Sequence, residues 1–70
     1  MNKVIAGIAK IIMIREKVAR DALPFTQSEY LKGRADEAAY TLSQIKIFFP
    51  DEVAQAKTEI EEATNTETKI

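Results

Sequence analysis

The stretch LPFTQSEY, residues 23–30, decides the fold, because it contains the signals that end one helix and begin the next. Its proline lacks a backbone donor and disrupts a helix interior. Thr26 and Glu29 have the spacing of a capping box, in which each side chain satisfies an orphan amide of the first turn. Phe25 and Tyr30 occupy the flanking positions of a hydrophobic staple. We therefore predict a helix that ends at residue 23 and a second helix that starts at residue 27.

The segment before this stretch has apolar residues at helical spacing over an arc that is broad for a single partner helix. We predict a helix over residues 3–23 that touches more than one neighbour. The arc consists of Val4, Ile5, Ile8, Ile11, Ile12, Val18, Ala19, Ala22 and Leu23. Met13 lies almost opposite the arc, and Lys3, Lys10 and Lys17 recur every seventh residue as a solvated back face.

The segment after the stretch predicts a second helix over residues 27–48, because its apolar positions alternate steps of four and three. This stripe consists of Leu31, Ala35, Ala38, Leu42, Ile45 and Phe49. A short connection makes the two helices antiparallel neighbours. Pro50, followed by Asp51 and Glu52, favours a new helix start. We predict a third helix over residues 51–63 and a frayed tail at residues 65–70, where helix formers are poor.

The fold class that follows is all-α: an antiparallel helical hairpin plus a short third helix, in a single domain over residues 1–64. A single core in a chain of 70 residues rarely contributes more than ~3–5 kcal/mol. Self-association is the usual remedy for so small a core. We therefore expect a helical bundle completed by homo-oligomerisation.

Composition excludes most catalytic chemistry. The chain has no histidine and no cysteine, so it cannot build Ser-His or Cys-His nucleophiles, disulfides or an ordinary zinc site. We expect no catalytic residues, no metal and no cofactor, and we predict that the protein is not an enzyme.

Charge and hydropathy bear on location and partners. Residues 1–34 carry seven basic and three acidic side chains, and residues 35–70 carry three basic and eight acidic ones, a gradient that helps antiparallel helices or subunits to pair. The pI of about 5.4 argues against nucleic-acid binding. The apolar run at residues 4–14 is too short to span a bilayer and lacks a cleavage site, so we expect a soluble, cytoplasmic protein.

A second face of the hairpin predicts an interface. Once the core stripe of helix 2 is assigned, Tyr30, Tyr40, Ile47 and Phe48 remain on its far side. Exposed apolar patches of this kind mark interfaces. The predicted oligomer or partner surface consists of Ile8, Ile11, Ile12, Tyr30, Tyr40, Ile47 and Phe48. Three occupants are open at this point: helix 3 folded back, a second copy, or a foreign protein.

Arg15 falls near the centre of the apolar arc of helix 1, where a desolvated charge needs a partner. With the turn centred near residue 25, Arg15 is level with Asp36 and Glu37, within a chain or across a dimer. We interpret this as a structural ion pair, with an anion-binding guanidinium as the functional alternative. The candidate anion or ion-pair site is Arg15, Arg34, Glu37 and Gln44.

The seven residues YLKGRAD, positions 30–36, resemble the second helix of phage-encoded sponges, which trap cyclic nucleotides between the helices of an oligomer. The resemblance implies an intersubunit pocket in which Arg34 or Arg15 works with an aromatic side chain.

The function that the sequence predicts is binding. The first hypothesis is a homo-oligomeric adaptor or inhibitor, of the kind found among phage accessory proteins, that sequesters a protein partner. The alternative is an oligomeric sponge for a small anionic ligand such as a signalling nucleotide. A second alternative is peripheral binding to a membrane surface through helix 1, whose lysine face and isoleucine face are amphipathic.

Overall fold

Three helices make up the computed structural model, which describes the backbone of residues 1–68 and the side chains of residues 1–64. Helix α1 spans Lys3–Thr26, α2 spans Glu29–Phe48 and α3 spans Pro50–Thr68. Across the described residues the fold is all-helical, as the sequence predicts. Helix α2 runs antiparallel to α1, and α3 returns along the other side of α1. The third helix thus packs within its own chain.

The chain reverses at Gln27 and Ser28, later than we predicted. Helix α1 continues through Pro24 to Thr26, so the prediction of an end at residue 23 is wrong. Gln27 adopts a left-handed conformation with φ of 50° and donates its amide to the Leu23 carbonyl at 2.8 Å. This cap closes the last turn despite the donor that proline lacks.

The predicted capping box is also wrong. Ser28, not Thr26, caps α2, and its hydroxyl accepts a hydrogen bond from the Leu31 amide at 3.3 Å. Thr26 belongs to the last turn of α1, where its hydroxyl donates to the Ala22 carbonyl. Phe25 is 88% exposed, so it does not form a staple. A serine two positions further along competes for the cap, and sequence spacing alone does not rank the two.

Helix α3 starts next to the predicted position, with Asp51 and Glu52 in its first turn. Its backbone continues to Thr68, beyond the predicted end at residue 63. Threonine and asparagine cost at most ~0.7 kcal/mol each relative to alanine, so they do not stop a helix that has already formed. Of the tail for which we predicted fraying, residues 69–70 lie outside the described residues.

The core is built mainly from alanine. The buried apolar residues are Ala6, Ala9, Ala19, Ala35, Leu42, Val53 and Ala56. Ile12, Met13 and Ile45 pack against the central cluster as half-buried side chains. Among the described side chains no large one is fully buried. The small residues allow the three helices to approach closely, and they leave little apolar volume inside.

The predicted position of Met13 is wrong. It was placed almost opposite the apolar arc of α1, yet it packs against the core, whereas Val4, Ile8, Ile11 and Val18 of the arc are exposed within this chain. The reason is the position of α3, which docks on the side of α1 that carries Ala9 and Met13 rather than across the isoleucines. The stripe of α2 has Ala35 and Leu42 buried as predicted, but its last residue, Phe49, is 36% exposed.

Glu52 couples the starts of α1 and α3. Its carboxylate is 8% exposed, and Oε2 accepts a hydrogen bond from the Asn2 backbone amide at 2.8 Å. The Asn2 side chain in turn caps α1 by accepting from the amides of Val4 and Ile5. The first turn of α3 favours the negative charge through the helix dipole. One carboxylate thereby holds two helix starts together.

Removing the carboxylate of Glu52 should destabilise the protein. We expect Glu52→Ala to lower the free energy of unfolding by about 1–3 kcal/mol, because a part-buried hydrogen bond loses its charged acceptor. Urea denaturation at one fixed protein concentration measures this. Glu61→Ala, at an exposed acid of the same helix, is the matched control and should change it by less than about 0.5 kcal/mol. Equal effects would show that the Asn2 contact contributes nothing.

The left-handed cap gives a second test. Gln27→Gly should stabilise the protein by about 1 kcal/mol, because glycine adopts positive φ without the steric cost of a Cβ. Gln55→Gly, the same substitution inside α3, should destabilise it by about 0.5–1 kcal/mol. Thermal melting of the parent and the two variants measures whether each substitution raises or lowers the stability. A destabilising Gln27→Gly would contradict the cap geometry.

Candidate interaction surface

One face of α1 carries large apolar side chains that neither α2 nor α3 covers. Their exposed fractions range from 44% to 88%. This exposed α1 row consists of Val4, Ile8, Ile11, Ile14, Val18 and Phe25. By helical periodicity the row is centred on the side of α1 away from α3, and its Ile8, Ile14 and Val18 also line open grooves against α2. Helix α1 therefore buries three of its four alanines and exposes three of its five isoleucines.

The predicted surface residues of α1 divide between this row and the core. Ile8 and Ile11 are exposed, at 44% and 53%, whereas Ile12 is half-buried and packs against the core cluster. Sequence reasoning placed Val4 and Val18 in the broad apolar arc but included neither them nor Ile14 in the predicted surface. The breadth of the apolar arc was the available signal, since one arc that wide serves more than one partner.

The predicted surface residues of α2 are exposed, but they do not form one patch. Tyr30, Tyr40, Ile47 and Phe48 are 67–74% exposed. Phe48 lines a groove of about 250 Å³ between α1 and α2, next to Ile8 and together with Gln44. Tyr40 and Ile47 lie further around the helix, on its outer side. Phe48 therefore belongs with the α1 row, and Tyr40 and Ile47 face elsewhere.

The two candidate arginines lie in one groove between α1 and α2, which we call the arginine groove. It encloses about 220 Å³, and its lining is Ile12, Arg15, Arg34, Glu37, Ala38 and Thr41. The structure thus brings together three of the four predicted ion-site residues. Gln44 is the exception, because it lines the neighbouring groove beside Phe48.

Arg34 is held by an aromatic neighbour. Its Nη1 donates a hydrogen bond to the Tyr30 hydroxyl at 3.1 Å, and its guanidinium carbon lies 5.7 Å from the centre of the Tyr30 ring. This contact is a cation–π interaction at an exposed site, worth about 0.5–1 kcal/mol. It fixes one positive group at the edge of the arginine groove.

The predicted intrachain ion pair of Arg15 is wrong. Within residues 1–64, the Arg15 side chain forms no ion pair or hydrogen bond. Arg20 takes the predicted place instead, with its Nη2 3.6 Å from Asp36 Oδ1. The chain reverses at residues 27–28 rather than near residue 25, which moves Arg20 level with Asp36. The other predicted arrangement, in which Arg15 pairs across a dimer, stays a prediction.

Arg20 also pairs along its own helix. Its Nε donates to Glu16 Oε2 at 2.8 Å, and this hydrogen bond, together with the charges of Glu16 and Asp36, raises the pKa of Arg20. The pair with Glu16 orients the guanidinium along α1, and the pair with Asp36 connects α1 to α2.

No family model, no curated protein and no solved structure matches this chain. Within the described residues, no helix combines the length and the apolar character needed to cross a membrane. The same part of the chain contains no group of three acidic side chains placed to hold a metal ion. The geometry of the exposed surface is therefore the basis for a functional proposal.

Proposed function

We propose that this chain is a non-enzymatic interaction protein that works as a homo-oligomer, with the exposed α1 row as its self-association surface. The observation that carries the proposal is the distribution of side chains on α1. Five of the seven buried apolar residues in the described part of the chain are alanines, while three isoleucines and two valines of α1 are exposed. A second copy would supply the missing apolar volume.

The energetics favour this occupant. Covering a valine, isoleucine or phenylalanine side chain contributes roughly 1.5–3 kcal/mol, and the row contains six such residues. Lys3, Lys10 and Lys17 lie on a neighbouring line of α1 rather than within the row, so two rows can meet without burying lysines. On the side of the row that faces α2 the neighbouring charge is Arg15, and Glu37 in the same groove is an available counter-charge.

Light scattering coupled to gel filtration tests the proposal. The parent protein should have a mass at least twice the monomer mass of 7.9 kDa. Ile11→Asp should shift it to the monomer mass, because a carboxylate in an apolar interface loses its hydration. Ile47→Asp is the matched control, since Ile47 is equally apolar and 67% exposed but lies on the outer side of α2.

Two outcomes would contradict the proposal. A parent protein that is monomeric at micromolar concentration would exclude homo-oligomerisation as its working state. An oligomer that survives Ile11→Asp and dissociates with Ile47→Asp would move the surface from α1 to the outer side of α2.

The arginine groove supports a second candidate function, which is binding of a small phosphate-bearing ligand. Arg15 and Arg34 give the groove two positive groups against one carboxylate, Glu37. Arginine is well suited to phosphate because its planar donors bind two oxygens at once. The position next to the α1 row would enclose such a ligand at a subunit interface, as the resemblance of residues 30–36 to nucleotide sponges also implies.

Thermal shift with a cyclic dinucleotide and with inorganic phosphate tests this candidate. A ligand at one hundred times its dissociation constant stabilises a protein by about 2.7 kcal/mol, which raises the melting temperature by several degrees. Arg34→Gln should abolish the shift, and Lys32→Gln, at an exposed cation of the same helix, should retain it. No shift with either probe, together with a native mass spectrum free of bound ligand, would exclude the candidate.

A further inference from the structure

The exposed α1 row has a heptad period. Val4, Ile11, Val18 and Phe25 follow one another at intervals of seven, and their exposed fractions are 72%, 53%, 63% and 88%. A seven-residue apolar period is the pattern by which one helix packs along a second helix. Neither α2 nor α3 occupies this line, so the partner helix comes from outside the chain.

Gly7 gives an independent indication of close approach. It lies inside α1 with ordinary helical φ, and a Cβ built on it would meet nothing within 4 Å. Glycine in a helix interior is destabilising by about 0.5–1 kcal/mol relative to alanine, and no contact within this chain requires a glycine at position 7. A neighbouring helix that passes close to the backbone at Gly7 would require one.

The heptad line is symmetric about the bond between Ile14 and Arg15, whereas the other two row residues, Ile8 and Ile14, lie at the distances of Asp21 and Arg15. The pairs at equal distance from this point are Val4 with Phe25, Gly7 with Ala22, and Ile11 with Val18. In an antiparallel pair of α1 helices the two small residues face each other and the large ones fill the layers beside them. In a parallel pair each residue meets its own copy, so glycine meets glycine and phenylalanine meets phenylalanine.

We propose that two copies of this chain pair through antiparallel α1 helices, crossing at the level of Ile14 and Arg15, with the heptad line Val4, Ile11, Val18 and Phe25 as the contact. The inference rests on the proposed self-association and adds its geometry. Antiparallel helices also oppose their dipoles, which parallel helices do not. Both Glu37 side chains lie beside the crossing, where they can accept hydrogen bonds from the two Arg15 guanidinium groups.

Disulfide trapping distinguishes the two orientations, because the chain has no cysteine of its own. Val4→Cys and Phe25→Cys are prepared separately in the full chain, mixed, refolded together and oxidised gently. Positions 4 and 25 lie about 31 Å apart along one helix, whereas a disulfide needs Cα atoms within about 7 Å. Antiparallel pairing predicts a Val4→Cys/Phe25→Cys heterodimer by mass spectrometry, and no homodimer from either variant alone.

Ile47→Cys mixed with Phe25→Cys is the control for random collision, and it should give no heterodimer. Gly7→Leu should weaken the dimer about tenfold or more, while Gly7→Ala should retain it, since a Cβ at this position meets nothing within 4 Å in the monomer. Homodimers of Val4→Cys, or equal trapping with Ile47→Cys, would overturn the antiparallel pairing while leaving an oligomer seen by light scattering intact. A monomeric parent protein would overturn both the pairing and the proposed function.

Discussion

The close approach of three helices through alanine is the constraint on which the rest of the structure depends. Ala9 and Ala56 are fully buried at the centre of the core, and Ala35 is fully buried on α2. Small contact residues bring helix axes near the lower end of the usual 8–10 Å range. They also mean that little apolar surface is removed from water inside one chain. The large aliphatic side chains of α1 therefore remain outside, and any further stabilisation has to come from covering them.

The position of the chain reversal determines which charges can meet. The two residues between α1 and α2 place Arg20 level with Asp36, and Glu16 fixes the same guanidinium from within α1. Arg15 is left without an acidic partner in the described part of its own chain. A shift of two residues in the turn would exchange these roles. The local choice between Thr26 and Ser28 as a cap thus has a consequence for the surface that faces outward.

Periodicity was sufficient for the number of helices, the antiparallel hairpin and the buried stripe of α2. It did not predict where a helix ends when two local signals compete, nor which side chains are buried when a third helix covers them. Pro24 and Thr26 looked like an end and a cap, yet the left-handed Gln27 closes the helix after them. Met13 looked solvated until α3 docked beside it. Tyr30 and Phe48 are exposed, as predicted, because residues opposite a core stripe on the same helix face away from the core. Glu52 was missed as a contact, since its donor is the distant Asn2 backbone.

The distribution of apolar side chains between the buried and exposed faces of α1 is the opposite of the one that would stabilise a monomeric helix most. A helix that served one chain alone would bury isoleucine and expose alanine, because burial of a larger side chain removes more apolar area from water. Here Ala6, Ala9 and Ala19 are buried against α2 and α3, whereas Val4, Ile11, Val18 and Phe25 face solvent on a line with its own seven-residue period. A helix with two apolar faces of different character has two packing partners. The alanine face fits the close intrachain contact, and the heptad face, with Gly7 at its edge, fits a helix of equal length and the same sequence running the other way.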